Sequence, residues 1–346
     1  MTRASPADDR VGRVFQVGDD RNLKIHVTDV GATWTSCRVA MQDGNVREAV
    51  LGHPSSAHYL SEPGYFGALI GRYANRIADG RFLLDGREIL LVRNEGRHHL
   101  HGGSQGFHSR RWDLVSLTDD EVRLRHISPD GDQGYPGELE VEVRYKVLAE
   151  RALRIEFLAR CDKPCPVNLT SHPYFNLDGD ARSALDHYLW IAAHRYLPVN
   201  DEMIPEGNLE DVAETTFDFR VPRRIRERLH QGVQQALAGG YDHCFVLDHD
   251  RAAGPGDGCA ARLWSSDRRL ALHLYTDYPG LQVYSGNHLP KSVGRDGRSC
   301  AAHSGIALEA QYLPDSPNHP AWSQPSCVLR PGQRMQHFIE FRFETS

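Results

Sequence analysis

Five short segments of this sequence place titratable or hydrogen-bonding side chains among turn-forming residues, where a rigid scaffold can present them to a ligand. They are Gly71-Arg72-Tyr73-Ala74-Asn75-Arg76, His99-Leu100-His101-Gly102-Gly103, Ser171-His172-Pro173-Tyr174-Phe175-Asn176-Leu177, Tyr241-Asp242-His243 and Ala307-Leu308-Glu309-Ala310-Gln311. The chemistry open to such residue types is proton exchange. An unperturbed imidazole titrates at ~6.5 and can give and retake a proton. Pro173 biases His172 toward extended geometry, which can hold its ring out over a sheet face. Glu309 sits among small and apolar residues. It is either the outward-facing charge of a strand or a partly desolvated base whose pKa burial would raise.

The elements that must position these groups are strands. In Glu138 to Val147, Leu139, Val141, Val143, Tyr145 and Val147 alternate with Glu138, Glu140, Glu142, Arg144 and Lys146. That is the pattern of a strand with one buried and one wet face. Leu153, Ile155 and Phe157 repeat it, as do Leu23, Ile25 and Val27 near the start and Ile339, Phe341 and Phe343 at the end. Phe82 to Leu84, Asp85-Gly86 and Glu88 to Val92 read as a hairpin with a tight turn. Helical periodicity is scarce. Ile225, Leu229, Val233 and Leu237 give one short candidate helix, interrupted by Gly232 and stopped at Gly239-Gly240. Asp248 to Gly258 reads as an exposed loop and a weak boundary, since strand-like sequence continues on both sides. With strands at both ends, the expectation is one domain over residues 1–346, all-β and built as a large, mostly antiparallel sandwich with few short helices.

Composition narrows the function. The net charge of −6 and the scattered Lys and Arg argue against a nucleic-acid partner, whose phosphates need a concentrated basic face. No apolar run approaches the ~20 residues that span a bilayer, so no membrane association is expected. Met1 to Arg10 is polar and lacks the apolar core of a secretory signal, which points to the cytoplasm. The seven cysteines are dispersed, and Cys161 and Cys165 lack CxxC spacing, so reduced structural thiols are expected. There is no Rossmann fingerprint, Walker loop or Gly-x-Ser-x-Gly elbow to support redox, phosphoryl-transfer or esterase chemistry.

Taken together and in this order, the five segments resemble the aldose 1-epimerase (galactose mutarotase) family. The resemblance runs from about Gly31 to Phe343 and includes Thr216-Phe217-Asp218-Phe219-Arg220 and Leu281-Gln282-Val283-Tyr284-Ser285-Gly286-Asn287. The Leu-His-Gly-Gly and His-Pro-Tyr-Phe-Asn-Leu segments are the specific ones. The resemblance implies a β-supersandwich and a cofactor-free isomerase that interconverts the α and β anomers of a free hexose such as galactose or glucose. It makes His172 the general acid at the ring oxygen and Glu309 the general base at the anomeric hydroxyl. Asn75, Arg76, His101, Asp242 and Gln282 become the substrate-binding set. Asp242 can accept from two hydroxyls, and Arg76 and His101 can donate. Asn75 is the weaker member, because neighbours on a strand face opposite ways.

Other readings stay open. A mutarotase-like sandwich could bind sugar without turning it over. An epimerase of hexose 6-phosphates would need a basic phosphate subsite, for which Arg72, Arg97, Arg110 and Arg111 are candidates. Hydrolysis by Asp242 and Glu309 as a carboxylate pair would leave His172 without a role. The cluster His98, His99 and His101 suggests a metal, but no carboxylate or Cys stands at ligand spacing, and His98 and His99 are expected to be exposed. Oligomeric state is not encoded in any pattern we can read.

Overall fold

The alternating segments form the strands expected of them. The computed structural model describes residues 12–61, 64–179, 182–248 and 258–346. The polar N-terminal run through Arg10, and the Asp248 to Gly258 stretch between its two end residues, lie outside them. Leu139–Leu148 and Ala152–Cys161 pair antiparallel along their whole lengths, and Ala152–Cys161 pairs in turn with the C-terminal strand Met335–Thr345. These are neighbours in a nine-stranded sheet. Its inward positions, among them Val141, Val143, Tyr145, Ile155, Phe157, Ile339 and Phe341, are fully buried.

The outward positions carry the charges that made the alternation visible. Arg144 bonds Glu121 and Glu156, Arg154 bonds Glu156 and Glu340, and Arg342 bonds Glu340. Opposite charges thus pair both across adjacent strands and along single ones, and Glu121 and Glu340 are themselves buried among these partners.

A second sheet has six strands, in the order Tyr174–Phe175, Ile306–Gln311, Gly280–Tyr284, Asp242–Val246, Arg195–Leu197 and Glu210–Asp211. A third joins Val14–Gly18, Leu23–Thr28, Thr33–Ala40 and Val46–Glu48. Every ladder between named strands is antiparallel, bearing out the sandwich of few short helices. One aromatic cluster joins the three sheets: Phe175 stands 5.2 Å from Phe341 and 6.0 Å from Trp34, and Trp34 stands 5.5 Å from Phe341. Rings of this size contribute large buried apolar area at a single point of contact.

Two local expectations meet different outcomes. The hairpin forms as Arg81–Leu84 and Arg87–Leu90, with Asp85 at φ 51° and Gly86 at φ 78°, the paired positive dihedrals of a type I′ turn. The candidate helix does not form as one piece. Gly232 is extended (φ −140°, ψ 159°), leaving a 3₁₀ turn at Ile225–Arg228 and a separate helix at Val233–Ala238 that ends on left-handed Gly239. Ile225 and Leu229 are buried, whereas Val233 is 77% exposed, so the apolar stripe does not continue across the break. All seven cysteines are unbridged. Among the described residues, no helix is long and apolar enough to cross a membrane.

Candidate active site

The six-stranded sheet places two carboxylates and an amide on one face. Ile306, Leu308 and Ala310 point into the main core, so Glu309, in the alternate register, faces the other way. It is nevertheless only 2% exposed. The solvated-strand reading of this residue therefore fails, because the strand is covered on both faces. Gln282 lies directly opposite Glu309 on the neighbouring strand, and Asp242 opens the next.

His172 sits where the chain passes from one strand pair to another. Thr170–Ser171 pairs with Leu69–Ile70, and Tyr174–Phe175 pairs with Ile306 and Ala307. Between them the His172 N–H donates to the Ala68 carbonyl (3.0 Å), and its carbonyl accepts from the Gly67 N–H (2.9 Å). The backbone is thereby held extended, as Pro173 favours, and the ring is carried over to Glu309. His172 Nε2 lies 3.4 Å from Glu309 Oε1.

The Asn75 and His101 segments are locked to each other. Arg76–Ile77 pairs with His99–Leu100, the Asn75 N–H donates to His101 Nδ1 (3.1 Å), and the His101 N–H donates to the Asn75 carbonyl (3.2 Å). Gly102 follows at φ 83°, where a Cβ would lie 1.8 Å from the Gly71 carbonyl oxygen, so no side chain fits between the two loops. Asn75 itself is at φ 67°, outside strand geometry. Alternation therefore does not apply to it, and Asn75 and Arg76 both line the same cavity.

That cavity, of ≈ 380 Å³, is lined by His172, Glu309, Asn75, Arg76, His101 and Asp242, together with Tyr65, Glu95, Tyr174, Tyr284 and His288. Gln282 stands behind it, donating from Nε2 to Asp242 Oδ1 (2.6 Å). The Arg76 guanidinium binds Glu95 through two bonds of 2.6 and 2.8 Å and reaches Asp242 Oδ2 at 3.9 Å. Of the residues not anticipated, Tyr284 follows Gln282 by two along one strand and could have been found from period two alone. Glu95, among Asn94 and Gly96, had a weaker cue. Phe175 packs in the core, while Tyr174 faces the cavity.

Burial sets the electrostatics. It raises the Glu309 carboxyl well above its ordinary range, reinforced by the charge of Asp242 and opposed by Arg76. It pushes His172 down to about 4, which corrects the expectation of an imidazole poised at its unperturbed value. Asp242 is raised by burial, opposed by Arg76 and by the bond from Gln282. His101 is lowered by burial and by the neighbouring cationic groups, so its ring is neutral. Since His101 Nδ1 accepts a backbone hydrogen bond, the ring proton belongs on Nε2, which makes this nitrogen a donor.

The donor atoms of His101, His172 and Glu309 lie within 4.8 Å of one another, close enough to suggest a metal. The tautomer of His101 opposes it, because a ligating Nε2 would turn an Nδ1 proton against the Asn75 N–H. The sequence cluster does not converge either, and His98 and His99 are buried rather than exposed. His98 Nδ1 accepts from the Asp79 N–H (3.0 Å), and His99 bonds the Val92 carbonyl (2.6 Å) and the Tyr135 hydroxyl (2.8 Å). Nor do the candidate phosphate-binding arginines reach the cavity. Arg72 is buried and spends its guanidinium on Ser128, Pro129, Pro136 and Gly137. Arg97 pairs with Asp79, Arg110 with Asp132 and Arg111 with Asp29.

A sequence profile of the aldose 1-epimerase family matches residues 13–342. An aldose 1-epimerase of Escherichia coli (strain K12) is 43% identical over 342 residues, covering 99% of this chain and 98% of that protein. A galactose mutarotase of Bos taurus is 37% identical over 334 residues, covering 96% and 94%. A crystal structure of an aldose epimerase homologue from C. elegans superposes with a TM-score of 0.88 at 27% identity, covering 96% of this chain and 99% of that one.

Proposed function

This chain belongs to the aldose 1-epimerase family and is an isomerase that interconverts sugar anomers, and from that premise we propose that His172 and Glu309 carry its two proton transfers on a free hexose. The observation that carries the assignment is their 3.4 Å approach at the buried end of a cavity of monosaccharide size. Burial disfavours a lone charge on either group. One proton shared between them leaves the pair without net charge whether it is written as acid and imidazole or as carboxylate and imidazolium. Glu309 as carboxylate takes the proton of the C1 hydroxyl while His172 as imidazolium protonates the ring oxygen. The C1–O5 bond breaks to the open aldehyde, rotation about C1–C2 presents the other carbonyl face, and closure reverses both transfers. Each is typically worth ~10² to 10⁴ in rate.

The remaining side chains hold and polarise. His101 offers its Nε2 proton to the ring oxygen beside His172. Asp242, oriented by Gln282 and Arg76, accepts from hydroxyls distant from C1, and Asn75 adds an amide. Tyr174 and Tyr284 supply apolar surface for a face of the pyranose. Galactose and glucose are the substrates this reading favours, in keeping with the galactose named for the bovine relative. Among the described residues, Arg76 is the only Lys or Arg that lines the cavity, and it is already paired with Glu95, which gives a phosphorylated sugar no counter-charge.

The test is polarimetry on freshly dissolved α-D-glucose and α-D-galactose, alongside the rate with glucose 6-phosphate. We expect rapid approach to anomeric equilibrium with the free sugars and a lower kcat/KM with the phosphate. Binding without acceleration would make this a sugar-binding member of the family, and a preference for the phosphate would move the substrate to the phosphorylated class.

A further inference from the structure

We propose that Tyr65 is a specificity-determining residue, a partition that limits what the sugar can carry at C5. This rests on the roles of His172 and Glu309 given above. A second cavity, of ≈ 350 Å³, adjoins the catalytic one, and the two share only Gly64 and Tyr65 among their lining residues. The Tyr65 ring meets His101 edge-on at 4.8 Å and His172 at 5.9 Å on the catalytic side. On the far side it meets His108 edge-on at 4.8 Å. The phenol therefore stands as the wall between two spaces.

The chemistry of the sugar says which of its groups meets that wall. The ring oxygen has two carbon neighbours, C1 and C5. With C1 directed to Glu309 and the ring oxygen to His172 and His101, C5 and its exocyclic carbon lie at the imidazole end, where Tyr65 packs. A substituent extending from C6 runs into the phenol, and beyond the phenol is unfilled space.

The described lining of the far cavity is polar but uncharged. Thr33, His53, Tyr59, Ser61, Ser104 and His108 supply polar groups to it, and among the described residues none that lines it is Lys, Arg, Asp or Glu. Such a wall accommodates a neutral extension and offers a phosphate nothing. Tyr65 is also fixed in place. It holds a left-handed backbone (φ 59°) after Gly64 at φ 118°, and its carbonyl accepts from the Ala68 N–H (3.0 Å). The partition is thus set by the fold, and shortening its side chain joins the two cavities.

The experiment compares the wild type with Tyr65→Asn, Tyr65→Gly and Tyr65→Phe, each checked by circular dichroism. Asn and Gly are the residues best suited to a positive φ, so either can stand in if the other folds poorly. Anomer exchange of glucose, 6-O-benzyl glucose and 3-O-benzyl glucose is followed by NMR. Both shortened variants should raise kcat/KM for the 6-O-benzyl sugar relative to glucose by about tenfold or more, the scale of shape discrimination in a pocket. The 3-O-benzyl ratio should not change, and Tyr65→Phe should keep the wild-type ratios. Unchanged 6-O-benzyl selectivity in active variants overturns the partition alone, as does an equal gain for both extended sugars. Absence of wild-type turnover on glucose and galactose overturns the assignment of the site as well.

Discussion

His172 Nε2 and Glu309 Oε1 face each other at 3.4 Å, with side-chain exposures of 4% and 2%. Both are buried, and each group's charged form is disfavoured by the same desolvation. It displaces both pKa values, the Glu309 carboxyl upward and the His172 imidazole down to about 4.

The pH profile should reflect both shifts. Catalysis needs one proton on the pair. With the Glu309 carboxyl raised, it is already protonated when the pH falls through about 4, where His172 takes a second proton and no base remains. With rising pH the single proton is lost through the raised pKa of Glu309, and no acid remains. kcat/KM should therefore show no acid limb at the ordinary imidazole value and decline on its acid side only near pH 4. Polarimetric rates corrected for spontaneous mutarotation would check this. An acid limb centred on the unperturbed imidazole value would refute it.

His172→Asn and Glu309→Gln should each lower kcat by ~10² to 10⁴ with KM changed only a few-fold, since both keep size and hydrogen bonding but remove proton exchange. The double variant should be little worse than either single one, because the two act as a unit. Asp242→Asn should mainly raise KM, since that carboxylate holds hydroxyls and moves no proton. Steady-state kinetics on all four variants decides the assignment. If Asp242→Asn loses kcat while Glu309→Gln keeps it, the two carboxylates must exchange roles.

Activity should survive exhaustive dialysis against a strong chelator. The expectation follows from His101, whose Nδ1 accepts the Asn75 N–H and so leaves a proton on Nε2, unsuited to ligation. A rate lost on chelation and restored by a divalent ion would reverse that tautomer and turn His101, His172 and Glu309 into a metal site.

Much of this was legible before any coordinates. The alternation at Glu138 to Val147 specified a half-buried strand because period two is a local property of extended backbone. The pairing of Asp85 with Gly86 specified a turn because both positions need positive φ. The apolar stripe from Ile225 to Leu237 misled, since an extended Gly232 splits it and sequence spacing cannot report a backbone break. His98 and His99 misled for a related reason. His98 finds a partner in Asp79 and His99 finds its own in Val92 and Tyr135, and such bonds are invisible in a local window.

By itself the sequence determined the all-β architecture through patterns a few residues long, and its resemblance to a known family pointed to most of the polar residues that line the cavity. Tertiary structure alone decided what those residues are electrically. Glu309 became a desolvated carboxyl because its strand is covered on both faces, and His172 lost its ordinary pKa on entering the same enclosure. The reason is physical: periodicity is written along the chain, but desolvation depends on segments hundreds of residues apart closing over the same few atoms.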